Sequence, residues 1–156
     1  MATLTGSRSA NTGLPAGTAN MVMLSGVIDA ALVEATSGIT IGSTDTFQVI
    51  GVPDQFCVIL AGWEVITAES GNATAQVEMG DGGDPNRYVA TATVAAAGDA
   101  VPLATNIPYM YTADDTIDLL GSVAALTNAK IRMWALGFTP NDVGSTADVR
   151  DTNTWS

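Results

Sequence analysis

The chain has no histidine, a single cysteine, only 5 Lys and Arg together, and 13% charged residues. Without an imidazole, the usual neutral-pH general base is missing, and so are the Ser-His and Cys-His nucleophile pairs and most zinc sites. One cysteine cannot close an internal disulfide. Cys57 sits among Phe56, Val58 and Ile59 with no Lys or Arg beside it, so it reads as a small buried hydrophobe and not as a reactive thiol. Long hydrophobic runs are also missing. The longest, Phe56 to Trp63, falls far short of the roughly 20 residues a spanning helix needs. The first ten residues lack an apolar core, so no secretory signal is read and synthesis in a host cytoplasm is expected.

What is present suits a thin β-structure. The 156 residues fit one domain, which at this size buries roughly 70% of its unfolded surface. Hydrophobic residues make up 47%, mostly alanine and valine with threonine and glycine between them, and only 6% are aromatic. That mix favours pleated strands over large-residue helix packing. The formal charge of −11 repels phosphate backbones and anionic headgroups, so neither nucleic acid nor a membrane is expected as a partner.

Residues 1–20 mix Thr, Ser, Gly, Asn and Ala around Leu14 and Pro15 with no apolar period, the pattern of an extended arm. Met21 to Ile28 reads as a first strand. Ile28, Ala31, Leu32 and Ala35 share a helical face, which allows a short helix ending near Gly38. Thr46–Ile50 is a strand closed by the Pro53-Asp54 turn, and Gln55–Ala68 is the strongest strand, ended by a turn at Glu69 to Asn72. Ala75, Val77 and Met79 alternate with Gln76 and Glu78, which places the first three on a core face. Tyr88 to Val94 is expected to complete a hairpin across a Gly80 to Asn86 loop, where Pro85 blocks ladder pairing. Thr116–Leu120, with Asp118 facing solvent, and Lys130–Phe138 are expected to form a second hairpin, with Lys130 and Arg132 opposite Asp118 and Thr116. Residues 139–156 return to a polar tail that carries an isolated Trp155. The prediction is an all-β chain: a single β-sandwich, jelly-roll-like, over residues 21–138, between an arm at 1–20 and a tail at 139–156.

No cluster rises to a chemical site. Asp81, Asp84 and Asn86 offer calcium-type oxygens, but they lack EF-hand spacing and a closing glutamate, and turn geometry selects the same residues. Asp114 and Asp115 are neighbours that point to opposite faces if on a strand, so they cannot flank one reacting bond with Asp118. Asp45-Thr46 is followed by Phe47, not by the glycine of an aspartic protease. Asn72-Ala73-Thr74 fits a glycosylation sequon with no secretory route to use it. Trp63 and Trp134 sit in apolar strands and read as core, while Tyr109 and Tyr111 beside Pro108 stay open as a sugar-stacking surface. No catalytic, metal or cofactor residue is assigned.

Three stretches carry a family resemblance: Gly80-Asp-Gly-Gly-Asp-Pro-Asn-Arg-Tyr-Val89, Tyr111-Thr-Ala-Asp-Asp-Thr-Ile-Asp-Leu119 and Lys130-Ile-Arg-Met-Trp-Ala-Leu-Gly-Phe138. They resemble virion structural proteins of tailed bacteriophages, in particular the small β-sandwich proteins that decorate or cement capsids. The resemblance implies a non-enzymatic subunit on the outer capsid surface, bound to the major capsid protein. It further implies a homo-oligomer, most often a trimer, whose terminal segments bridge neighbours, with Leu14, Pro15 and Trp155 as candidate subunit contacts. The other reading is a head-fibre or tail module for host recognition, in which exposed tyrosines or the Asp81 loop contact glycans.

Overall fold

The computed structural model describes residues 21–98, 100–101 and 107–139. Among these lie β1 (Val22–Asp29), α1 (Ala30–Ser37), β2 (Thr46–Val52), β3 (Cys57–Thr67), β4 (Gln76–Asp81), β5 (Asp84–Thr93), β6 (Ala100–Val101), β7 (Tyr109–Met110), β8 (Asp115–Gly121) and β9 (Lys130–Phe138). One sheet runs β1-β9-β3-β6, with β7 also paired to β3, and the other runs β2-β8-β4-β5. The pairings nest: β1 with β9, β2 with β8, β3 with β6 and β7, β4 with β5, all antiparallel. An antiparallel ribbon wrapped on itself in this way is a jelly-roll sandwich, the all-β architecture expected from the strand spacing.

Nesting explains which local readings hold. The β4–β5 hairpin forms because both strands lie in the same sheet. Its turn is tighter than expected: Asp81 pairs with Asp84 across Gly82 and Gly83, and Pro85 lies in a register shift of the edge strand β5, with no ladder partner. The expected second hairpin does not exist. β8 belongs to one sheet and β9 to the other, so Lys130 and Arg132 cannot face Asp118 and Thr116. Instead Lys130 Nζ meets Asp29 Oδ2 at 3.1 Å and Arg132 Nη1 meets Glu64 Oε2 at 3.1 Å, pairs that the β1–β9–β3 register sets side by side. Lys130 also holds the Asp29 carboxyl below its ordinary value through its hydrogen bond.

The helix is short and locally specified. Asp29 is its N-cap, accepting from the Leu32 amide at 3.2 Å, and Gly38 ends it at φ 69°, donating its amide to the Glu34 carbonyl at 2.8 Å. Between the sheets, Trp63, Val65, Val77, Met79, Ile117, Leu119, Ile131 and Met133 are buried, as the alternation at Val77 and Met79 predicts. Cys57 is buried and free. Trp134 departs from expectation. Its neighbours Met133 and Ala135 point into the core, so Trp134 lies half-buried on the outer face of the β1-β9-β3 sheet.

Candidate functional site

The two ends of the sandwich are closed by two polar clusters, and Asp81, Tyr109 and Tyr111, weighed in the sequence as ligand or sugar contacts, fall in one of them. At one end, Asp81 terminates β4. Its Oδ1 accepts the amides of Gly83 at 3.0 Å and Asp84 at 2.9 Å, and also Arg87 Nη2 at 3.1 Å. Its Oδ2 accepts Arg87 Nε and the Tyr111 hydroxyl, the latter at 3.2 Å. Tyr88 donates its hydroxyl to that of Tyr111 at 2.8 Å. Arg87 lies 3.7 Å over the Tyr109 ring, and Tyr109 meets Tyr111 edge to face at 5.0 Å. Burial alone would raise the Asp81 carboxyl, but the Arg87 hydrogen bonds and the turn amides outweigh it and hold the group below its usual range. Burial pushes both Tyr88 and Tyr111 well above a free phenol.

This arrangement answers two of the sequence readings. The Asp81 oxygens accept from donors of the chain itself, the pattern of a closed turn. Of the two candidate sugar-stacking tyrosines, Tyr111 is buried, and Tyr109 is half-buried with Arg87 over one face of its ring. Asp114 is likewise structural, accepting the Asp54 amide at 2.8 Å.

The opposite end is clasped by Glu69, a residue that sequence reading treated only as part of a turn. Its Oε1 accepts from the Gly71 amide at 2.8 Å, the Asn72 amide at 3.2 Å and the Thr127 hydroxyl at 2.7 Å. Its Oε2 accepts from the amides of Thr127 at 2.7 Å, Asn128 at 3.0 Å and Ala129 at 3.2 Å. Burial opposes ionisation, yet these donors hold the carboxyl down at about 2. The clasp ties the loop after β3 to the loop before β9.

Asp118 is the opposite case. It points outward from β8, as the alternation expects, but it is only 6% exposed and its Oδ1 has no partner among the described residues. The cause is the β4–β5 turn: Asp118 pairs with Gly80, and the Asp84–Pro85 backbone packs directly where a Gly80 side chain would stand. Burial raises its carboxyl to about 6, helped by the charges of Asp115 and Asp81 and opposed by a hydrogen bond from Thr116. The folded state therefore holds this proton more tightly than the unfolded chain, whose value is 3.8, and stability falls as pH rises from there through about 6. Asp118→Asn is expected to stabilise the fold by on the order of 1 to 2 kcal/mol at about pH 8 and to change little at about pH 3.5. Urea midpoints at the two pH values test this; an equal shift at both would mean that the gain is not electrostatic.

The outer surfaces of the sheets differ. On the β1-β9-β3 sheet, the cross-strand row Met23, Leu136 and Leu60 is apolar and adjoins Trp134 and Phe138. Met23 is 61% exposed. The other sheet presents Gln48, Gln76, Glu78 and Thr93, with no Lys or Arg on its strands except Arg87 of β5, whose guanidinium is engaged by Asp81. Leu14, Pro15 and Trp155, the named candidate contacts, lie outside the described residues. Val22 pairs with Gly137 and Cys57 with Phe138, so Met21 and Thr139 stand at one end of this sheet, which is also the Asp81 end.

Three solved structures share this fold. A chain of the "Cyanophage Pam1 capsid asymmetric unit" matches with a TM-score of 0.65 at 21% identity, covering 86% of this chain and 94% of that one. The fold is one found in phage capsids. The "Acidic stable capsid structure of Helicobacter pylori bacteriophage KHP30" matches with a TM-score of 0.59 at 15% identity over 79% of this chain and 91% of that one. The "Capsid of Ralstonia phage GP4" matches with a TM-score of 0.61 at 15% identity over 83% and 91%. The resemblance to phage virion proteins noted in sequence is thus matched by a shared architecture. In the Pam1 case, 86% of 156 residues equals 94% of the partner, which puts that chain at roughly 143 residues, close to this one in length. No family model matches the sequence, and no curated protein matches it.

Proposed function

We propose that this chain is a structural, non-enzymatic component of a bacteriophage virion, a decoration or cement protein seated on the outer surface of the head. The observation that carries the reading is the match over 79 to 86% of this chain and 91 to 94% of chains in capsid structures. The surface chemistry suits it. With a charge of −11, the outer position keeps the chain away from packaged DNA. Its two polar clusters serve as internal clasps, leaving the sheet faces and edges for contact.

In this role the chain binds the major capsid protein and further copies of itself, with a trimer as the expected unit. Residues 1–20 and 139–156 bridge neighbours, and Leu14, Pro15 and Trp155 are their anchors. Both segments join the sandwich at one end, so one end of each subunit can engage the shell or a neighbour with two arms. Repeated weak contacts in a symmetric assembly then add as avidity. The test is co-sedimentation of the purified protein with heads that lack it. Saturable binding that protects heads from heat supports the reading, whereas absence of binding overturns it. On intact particles both arms should resist proteolysis; full cleavage of both with the particles still stable would remove the bridging role.

A further inference from the structure

Of the edges that the sandwich leaves open, one carries the fewest of the usual protections against strand addition, its one close cover being the Val49 backbone of β2 against Gly26. β5 carries Pro85 and register shifts, β2 carries a register shift at Gln48/Ile50, and β6 and β7 are only two residues long. β1 is different. Its eight residues, Val22–Asp29, pair with β9 in unbroken register, contain no Pro, Lys or Arg, and end in its one charge, Asp29. The alternate backbone groups of β1 that face away from β9 take no further backbone hydrogen bond among the described residues. On its outer face Met23, 61% exposed, extends the apolar row of Leu136 and Leu60 up to this edge.

The chain holds one terminal stretch able to fill an eight-residue edge. Residues 1–20 are interrupted at Gly6, Gly13, Pro15 and Gly17, which leaves no run of that length free of Gly and Pro. Residues 145–156 are free of both and include three threonines, and Ala147, Val149 and Trp155 share one face of a strand with Asp151 and Asn153. We propose that the free edge of β1 receives residues 145–156 of a neighbouring copy as an added strand, with Val149 set beside Met23 at the end of the apolar row. A chain's own tail is poorly placed for this. It leaves β9 beside Val22, and to reach the far side of β1 it must cross the segment entering at Met21, a crossing that protein connections avoid. A neighbour's tail has no such obstacle, and residues 140–144 span about 17 Å when extended. Donation from each copy to the next closes a ring, and reciprocal donation closes a pair; either joins the copies through their tails.

This deepens the part of the proposed function that assigns bridging to the tail, and its test requires no phage heads, so failure here is distinct from failure of head binding. Hydrogen exchange and light scattering would be measured on the full chain and on Val149→Pro, with circular dichroism and thermal melting confirming that the sandwich of the variant is intact. The expected result is a wild-type mass at a multiple of 15.9 kDa, falling to one copy in the variant. The β1 amides that face away from β9 should exchange at least about tenfold faster in the variant. A wild-type monomer with protected β1 amides would mean that the chain's own tail caps the edge, and would overturn the proposal. An oligomer of unchanged mass in Val149→Pro, or β1 amides already unprotected in the wild type, would overturn it as well.

Discussion

Replacing Glu69 with alanine is expected to lower the stability of the sandwich by on the order of 3 to 4 kcal/mol at neutral pH. The size follows from the number of groups that lose their partner at once. Six donors converge on this carboxylate, five of them backbone amides in loops that lie against one another, and Glu69 is only 2% exposed. Conservative substitutions are not expected to rescue it. In Glu69→Gln one oxygen becomes an NH2 group facing three donors, whichever way the amide is turned, and Glu69→Asp is a methylene too short to reach both loops. The pH dependence gives a second signature. The folded value of about 2 lies below the unfolded 4.5, so the contribution of the clasp is complete above the unfolded value and is lost as pH falls toward 2. The wild type should therefore lose more stability than Glu69→Gln between about pH 5 and pH 2.5. Denaturant midpoints decide it: a Glu69→Gln protein within about 0.5 kcal/mol of wild type at neutral pH would show that the donors find other partners.

The difference between what was legible in sequence and what was not follows the range of the interactions. β4 and the helix are written locally, through the alternation at Val77 and Met79 and through the shared face of Ala31, Leu32 and Ala35 with the stop at Gly38, and both appear where those signals put them. The number and spacing of strands carried the sandwich class for the same reason. The pairing of strands was not local. In a nested jelly-roll, successive strands mostly alternate between sheets, so adjacency in sequence misleads for β8 and β9 while it holds for β4 and β5. Asp118 shows the same limit at one residue. Its direction was readable from the period of two, but its burial depends on the turn of another hairpin folding over Gly80. The Glu69 clasp was illegible because four of its donors, the Thr127 hydroxyl and the amides of Thr127, Asn128 and Ala129, lie 58 to 60 positions away. Trp134 was misassigned because an apolar strand that buries one face and offers an apolar contact surface on the other has no alternation to reveal which residues face out.

Arg87→Met is expected to cost about 3 kcal/mol, because it removes the one cation that, among the described residues, pairs with a carboxylate held inside the fold. The side chain of Asp81 is 2% exposed and that of Arg87 14%, so water cannot replace the lost partner without opening the β4–β5 turn. The turn amides and the Tyr111 hydroxyl still support Asp81, which places the loss at the lower end of the range for broken buried pairs. The variant also uncovers Tyr109, whose ring the guanidinium overlies at 3.7 Å, and frees the edge-to-face pair with Tyr111 to shift. The electrostatic share can be separated by pH. With Arg87 present the Asp81 carboxyl is held below its unfolded value, so the pair contributes fully above 3.8 and less as pH falls through the folded value. Without Arg87 burial is opposed only by the turn amides and the Tyr111 hydroxyl, so the Asp81 carboxyl should take up its proton at a higher pH than in the wild type. The deficit of the variant is therefore largest near neutral pH and shrinks toward about pH 4, while the titration of Asp118 cancels to first order between variant and wild type. Adding Asp81→Asn to Arg87→Met removes the stranded charge and should recover at least about 1 kcal/mol at neutral pH. A deficit that is constant with pH and unrelieved in the double variant would assign the role of Arg87 to packing on Tyr109 and not to its charge. In that case Arg87 supports the end of the sandwich from which both terminal segments depart through its contact with the Tyr109 ring.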